Sequence, residues 1–187
     1  MAQKRTACII GCTGMVGQLC LQRLLQEPAY EKVIAISRKP LKLTHPKLQN
    51  VLADFDSLPK ALPSVAIDDL YCALGTTMAK AGSKEAFRKV DYDYAFAFAQ
   101  EGLKRSAKRF ALVSAIGADA GSLFFYNRVK GELEDALHKL GFDVLLIFQP
   151  SILLGDRQEQ RTGEAAGMWL AEHAAFLFTG PLKKRHA

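Results

Sequence analysis

Tyr126 and Lys130 are the two residues in this sequence best suited to transferring a proton. In a helix, a separation of four residues places both side chains on one face. A free tyrosine has a pKa near 10, and a nearby ammonium group stabilises its phenolate form. An attraction of about 4 kcal/mol, the scale for unit charges ~4 Å apart at an effective dielectric near 20, lowers that pKa by roughly three pH units. The pair is therefore able to act as an acid–base centre near neutral pH.

Ser114 is the third candidate catalytic residue, because it follows an apolar segment that we interpret as a strand. At the carboxyl end of that strand its hydroxyl would open into a ligand crevice and could hold a substrate carbonyl. The alternative interpretation is structural, with Tyr126 in the core of an amphipathic helix and Lys130 as a solvated charge. Because Y-x-x-x-K is common by chance, the surrounding motifs must decide between the two.

A glycine-rich turn lies between the first predicted strand and the first predicted helix. One glycine allows a sharp turn, a second lets the backbone approach a pyrophosphate, and a third lets the helix pack on the strand. The helix N-terminus then directs N–H groups at the phosphates. The alternatives are a tight turn without a ligand and, for Cys12, a redox thiol rather than a small residue filling the turn. The residues predicted to bind a dinucleotide here are Gly11, Thr13, Gly14, Met15, Val16 and Gly17.

The end of the second predicted strand indicates which dinucleotide is bound. NAD-selective domains place a carboxylate there for the ribose 2′-hydroxyl, whereas this chain has Ser37, Arg38 and Lys39. A guanidinium binds a 2′-phosphate through two hydrogen bonds, and a lysine adds a further positive charge. The prediction is therefore NADP(H), the alternative being a solvated basic turn. By position alone, Asp54 and Phe55 after the third strand are predicted to contact the adenine.

Short apolar segments rich in β-branched residues alternate with longer amphipathic ones, which indicates parallel strands joined by crossover helices. We predict an α/β doubly wound parallel sheet, the Rossmann fold, as a single domain over residues 1–187. Residues 151–187 are predicted to form a small C-terminal appendage on the substrate side. Strands are predicted at 6–11, 32–37, 50–53, 69–74, 109–114 and 143–148, and helices at 15–26, 84–105, 124–140 and 163–178.

Length and composition favour a single globular domain and exclude disorder, since 49% of the 187 residues are hydrophobic and 24% are charged. The formal net charge of +6 attracts phosphates, but no nucleic-acid-binding module accompanies it. No apolar segment approaches the roughly 18 residues of a membrane span. We therefore expect a cytoplasmic protein with reduced thiols and with neither a nucleic-acid nor a membrane partner.

Other catalytic classes lack their motifs. The four histidines show no metal-ligand spacing with cysteines or carboxylates, so no metal site is predicted. The chain has neither a G-x-S-x-G nor a G-K-[ST] sequence, which removes the usual sequence argument for a serine hydrolase or a phosphoryl-transfer enzyme.

The motifs occur in an order that resembles the short-chain dehydrogenase/reductase superfamily, from the glycine turn and the basic strand end to Gln149-Pro150. More narrowly, they are similar to its atypical branch related to the Tat-interacting protein oxidoreductase. The motifs that carry this narrower resemblance are Cys72-Ala73-Leu74-Gly75-Thr76-Thr77, Val90-Asp91, Ser114-x-x-Gly117-Ala118-Asp119, Tyr126-x-x-x-Lys130-Gly131-Glu132 and Pro150-x-x-Leu153-Leu154-Gly155-Asp156-Arg157.

The resemblance implies an NADP(H)-dependent oxidoreductase. In it, Tyr126 would donate or accept the proton, Lys130 would bind the nicotinamide ribose and tune the tyrosine, and Ser114 would complete a triad. Relatives often carry a second serine where this chain has Ala115. The further cofactor-binding residues implied by the resemblance are Leu74, Gly75, Thr76, Pro150 and Ile152.

Three functional hypotheses are compatible with these motifs. The first is an enzyme that reduces a carbonyl-type small molecule. The second is a regulatory module that senses NADPH and passes that state to a protein partner without turnover, and the third is a subunit that keeps the fold for assembly alone. Because a fold hosts many functions, cofactor affinity and turnover must separate them. By family analogy, the helix at 124–140 could also mediate a homodimer.

Overall fold

The computed structural model describes residues 4–151. Within this range, six strands form one sheet, in which every neighbouring pair is parallel and the order is β3-β2-β1-β4-β5-β6. This is the strand order of the doubly wound dinucleotide-binding fold, so the predicted fold class is confirmed. The strands are β1 (Arg5–Ile10), β2 (Tyr30–Ser37), β3 (Leu48–Leu52), β4 (Asp69–Cys72), β5 (Arg109–Val113) and β6 (Val144–Phe148).

The helices differ from prediction in two respects, the first being two short helices that were not predicted, at Leu58–Ala61 and Met78–Ala81. The helix predicted at 84–105 is two helices, joined by a π-helical turn at Lys89–Asp93. The helix predicted at 163–178, and all of the predicted appendage except Ser151, lie outside the described residues. The described helices are α1 (Met15–Gln26), α2 (Leu58–Ala61), α3 (Met78–Ala81), α4 (Lys84–Arg88), α5 (Tyr94–Leu103) and α6 (Phe125–His138).

The two faces of the sheet bury different sets of side chains. Because successive residues of a strand point to opposite faces, Ala7 and Ile9 of β1 pack on the α1 side, while Cys8 and Ile10 pack on the side of α2, α5 and α6. All four of these side chains are fully buried. Central strands covered on both faces read as continuous apolar runs, which explains the lack of alternation in β1.

The strand register aligns the loops that carry the candidate residues. Ile10, the last residue of β1, pairs with Ile36 on one side and with Cys72 on the other. Leu112 of β5 pairs with Cys72 and with Ile147. The loops that follow these strands therefore leave the same edge of the sheet, where the strand order reverses and such folds bind ligands.

Candidate functional site

The turn between β1 and α1 requires glycine at two positions. Gly11 has a φ of +78°, and a Cβ on it would lie 2.3 Å from the carbonyl carbon of Ala73. A Cβ on Gly17 would lie 2.1 Å from the carbonyl oxygen of Gly11. The turn therefore packs closely against both the start of α1 and the loop after β4, at the edge of the sheet where such folds bind ligands.

Gly14 is different, because little within the protein requires it. A Cβ there would meet only the Gly11 oxygen, at an ordinary contact distance of 3.5 Å. Gly14 caps α1 without a side-chain hydrogen bond, and the first turn of that helix has no acidic residue. The space in front of Gly14 is thus open to an anion held by the N–H groups of the helix N-terminus.

The remaining residues of the turn fit this arrangement. Thr13 is exposed, and Met15 and Val16 are half-buried in the first turn of α1. Cys12 is buried, its Sγ donates to the carbonyl oxygen of Ile36 at 3.8 Å, and burial raises its pKa to about 11. Since the thiolate is the reactive form, these observations favour the packing interpretation of Cys12 over the redox one.

The turn after β2 is fixed by a residue that sequence analysis missed, Asn50 of β3. Its Nδ2 donates to Ser37 Oγ at 2.8 Å, and its Oδ1 accepts from the N–H of Leu41 at 2.9 Å. Ser37 Oγ in turn donates to the carbonyl oxygen of Lys39 at 2.7 Å. The buried Ser37 hydroxyl therefore fixes the turn rather than pointing freely at a ligand, while Arg38 and Lys39 are exposed.

The two residues predicted to contact the adenine, Asp54 and Phe55, differ in exposure. Phe55 is 8% exposed and belongs to the core, where its ring lies 5.6 Å from that of Tyr94. Its contact with the adenine stays a prediction that this packing does not favour, because little of the ring reaches the surface. Asp54 is exposed and accepts from the N–H of Asp56 at 3.2 Å, so its contact with adenine stays a prediction.

Lys130 is not a solvated charge. It is 3% exposed, and its Nζ lies 2.7 Å from Oδ1 of Asp91, which is 1% exposed. Oδ2 of the same carboxylate accepts from the N–H of Thr76 at 2.8 Å. Burial alone would lower the pKa of Lys130, but attraction to Asp91 and Tyr126 outweighs it and raises the pKa above its ordinary value. The ammonium is thus held charged beside the loop after β4.

Gly75 lies directly over this ion pair and is itself exposed. A Cβ on Gly75 would lie 3.6 Å from Asp91 Oδ1 and 3.9 Å from Lys130 Nζ. Its neighbours Leu74 and Thr76 are half-buried, and the Leu74 N–H lies against Gly11. The missing side chain at residue 75 therefore leaves the crevice open above the buried pair, next to the glycine turn.

Tyr126 lies one helical turn before Lys130 on α6 and is half-buried. Its ring packs against that of Phe87, a fully buried residue of α4, with centroids 5.5 Å apart. This packing restricts the ring, and the electrostatic interaction of Tyr126 with Lys130 indicates that the two side chains are near each other. The interpretation of Lys130 as a solvated charge is therefore wrong. The packing of Tyr126 is compatible with a structural role, so its role in proton transfer stays a prediction.

Ser114 is engaged elsewhere. Its Oγ donates to Glu134, one turn after Lys130 on α6, and Gln149 Nε2 donates to both Glu134 oxygens, at 3.1 and 2.9 Å. The serine hydroxyl is thereby committed to a contact that ties β5, α6 and the end of β6 together. Its catalytic role stays a prediction that this geometry does not favour.

The last two predicted cofactor-binding residues follow β6. The Pro150 carbonyl accepts from the N–H of Ile116 at 3.0 Å, and Ile152 lies outside the described residues.

Residues 4–151 hold neither a cluster of metal ligands nor a helix suited to a membrane. No three His, Cys, Asp or Glu side chains in this range are grouped so that they could hold a metal ion. None of the helices described in this range has the length and apolar character needed to cross a membrane.

The family model for HIM1 matches residues 42–177, which is more than half of the chain. The chain belongs to the HIM1 family. Protein HTATIP2 of Rattus norvegicus is 38% identical over 173 residues, covering 90% of this chain and 69% of the relative. The protein named fmp52, mitochondrial, of Emericella nidulans is 35% identical over 190 residues, covering 96% and 76%. The predicted resemblance to this atypical branch is confirmed.

Solved structures agree on the fold of this HIM1-family chain. The Bordetella bronchiseptica enzyme WbmH, in complex with NAD+, superposes with a TM-score of 0.69 at 16% identity. The match covers 91% of this chain and 64% of WbmH. At that identity the likeness establishes the Rossmann-like dinucleotide-binding fold.

The predicted cytoplasmic location is wrong by the same comparisons. The Emericella nidulans relative carries the word mitochondrial in its name, as do relatives from Candida albicans, Eremothecium gossypii and Candida glabrata. The cytoplasmic prediction rested on composition and on the lack of a long apolar segment, and neither property distinguishes one aqueous compartment from another.

Proposed function

We propose that this HIM1-family protein is an NADP(H)-dependent oxidoreductase that reduces a carbonyl-type small molecule. The observation that carries the proposal is the buried Lys130 ammonium beneath Gly75, in the loop whose first residues touch the Gly11 turn. An anion site at a helix N-terminus and an acid–base pair thus open into one crevice at the carboxyl edge of the sheet. A fold kept for assembly alone would not need either feature.

Each residue of the crevice has a role in this proposal. A dinucleotide held by the Gly11 turn and by Arg38 would supply a hydride for the carbonyl carbon, the reducing equivalent that this chemistry needs. Tyr126 Oη gives its proton to the carbonyl oxygen, which completes the alcohol, and Lys130 stabilises the phenolate that remains. The open positions at Gly14 and Gly75 give the dinucleotide room beside these side chains.

Preference for NADP(H) is proposed from the exposed Arg38 and Lys39 after β2. Calorimetric titration should give tighter binding of NADPH than of NADH. Replacing Arg38 with Ala should weaken NADPH binding by about 10- to 100-fold, the value of a charge-assisted hydrogen-bond pair, and leave NADH binding unchanged.

Arg23→Ala is the matched control, because Arg23 is an exposed arginine in the last turn of α1, at the other end of the helix from the glycine turn. It should bind both nucleotides as the wild type does. If neither nucleotide binds the wild-type protein, the proposed oxidoreductase function is wrong. That result would favour a function that depends on a protein partner.

A pair of substitutions separates the packing role of the glycine turn from its proposed role in binding the pyrophosphate. Gly17→Ala should cost about 1–3 kcal/mol in the free energy of unfolding, because its Cβ would clash with the Gly11 oxygen. Gly14→Ala should lose no more than about 1 kcal/mol, the difference between Gly and Ala at an N-cap, yet bind NADPH at least tenfold more weakly, since its methyl group enters the space proposed for the pyrophosphate. Urea unfolding and calorimetry measure the two effects. Wild-type NADPH affinity in Gly14→Ala would show that the anion lies elsewhere.

A further inference from the structure

Asp91 is a buried carboxylate in an unusual stretch of helix. It lies in the π-helical turn between α4 and α5, against which α6 packs, and its side chain is fully buried. Such turns are rare and occur frequently at functional sites. Because a buried carboxylate is costly unless it is paired and hydrogen-bonded, its partners indicate why it is there.

Those partners belong to two different elements. Oδ1 pairs with Lys130 Nζ of α6, and Oδ2 accepts from the N–H of Thr76 in the loop after β4. One carboxylate therefore fixes the lysine relative to the loop that borders the crevice. Gly75, the residue immediately before Thr76, has no side chain to cover the pair.

We propose that Asp91 is a positioning residue, whose carboxylate holds the Lys130 ammonium beneath Gly75 and partly neutralises it. The pair as a whole, not the lysine alone, then acts on Tyr126. This inference rests on the proposed function, since it concerns the proton that Tyr126 would give up.

The electrostatic consequence follows from the charges that face Lys130. They come from Asp91 on the π-helical turn, Tyr126 on α6 and Cys72 on β4. Burial raises the pKa of Cys72 to about 11, so the thiol stays neutral around neutral pH. A lone ammonium would favour the phenolate of Tyr126 strongly, whereas an ion pair does so weakly. Asp91 therefore keeps the proton on Tyr126 at the pH where a reductase must donate it.

The ionisation of Tyr126 can be measured without a substrate. Tyrosinate absorbance is titrated against pH for each variant and for the same variant carrying Tyr126→Phe, and the difference gives the midpoint for Tyr126. Asp91→Asn should move this midpoint to lower pH by about 1 pH unit, because one negative charge near the pair is lost. Asp93→Asn is the matched control, an exposed aspartate two residues along the same turn, and should leave the midpoint unchanged.

Lys130→Met separates this inference from the proposed function. It should move the Tyr126 midpoint to higher pH, and an unchanged midpoint would contradict the Tyr126–Lys130 pair itself. If Lys130→Met raises the midpoint but Asp91→Asn leaves it in place or raises it, only the role of Asp91 is overturned. Should Asp91→Asn fail to fold, the neutral double variant Asp91→Asn/Lys130→Met replaces it. Its midpoint should lie about 1 pH unit below that of Lys130→Met, and equal midpoints would overturn the inference.

Discussion

Replacing Tyr126 with phenylalanine should lower the turnover of a reducible carbonyl substrate by about 100- to 10,000-fold, the usual contribution of a positioned general acid. Dinucleotide affinity should stay close to that of the wild type, because the phenol is proposed to act on the substrate and not on the phosphates. The ring should keep its packing on Phe87, 5.5 Å away, so the fold should be preserved. The measurement is the rate of NADPH oxidation across a panel of aldehydes and ketones, beside calorimetric titration of the same variant.

The result also separates the enzyme from the regulatory module. An interaction made only in the transition state affects turnover and leaves binding intact, whereas a sensor of NADPH without turnover should be indifferent to the substitution. Tyr92→Phe is the control, because Tyr92 is another half-buried tyrosine on a helix that borders α6. Full reductase activity in Tyr126→Phe would exclude the proposed mechanism.

The fold was predictable from the sequence because its determinants are local and periodic. Apolar runs such as Val33–Ile36 are buried on both faces of the sheet, and a run of that kind with flanking turns is typical of a central parallel strand. The break in the helix at 84–105 was not predictable in this way. A π-helical turn adds one residue to a turn of helix, and no proline or glycine marks it between Lys84 and Leu103 except Gly102.

The candidate site was predictable only where its chemistry lies in neighbouring residues. The glycine turn and the Tyr126–Lys130 spacing each occupy a few consecutive positions, so pattern and geometry coincide. The partners of Lys130, Ser37 and Ser114 come from other elements: Asp91 is 39 residues from Lys130, and Asn50 is 13 residues from Ser37. Charged residues at Arg88, Lys89 and Asp93 surround Asp91 in the sequence, so no local pattern indicated that its carboxylate is buried.

Removing either charge of the Lys130–Asp91 pair should destabilise the protein by about 3–5 kcal/mol, because the remaining charge stays buried without its partner. The side chains are 4% and 0% exposed, so solvent cannot replace the lost contact. The double variant Asp91→Asn/Lys130→Met should recover most of this loss, since two neutral groups of similar size impose no charge on the core. Urea unfolding of the wild type, Asp91→Asn, Lys130→Met and the double variant gives the coupling energy of the two side chains.

Asp93→Asn, which removes an exposed charge from the same turn, should change the free energy of unfolding by no more than about 0.5 kcal/mol. Single losses that simply add in the double variant would mean that the two side chains do not stabilise each other. Recovery of the free energy of unfolding in the double variant would mean that the two side chains do stabilise each other. That result would also bear on function. If a neutral pair folds nearly as well, stability does not explain why this chain buries an ammonium and a carboxylate beneath Gly75. The neutral pair cannot supply a charge beside Tyr126. The proposed contribution of the ionic pair is therefore its effect on the ionisation of Tyr126.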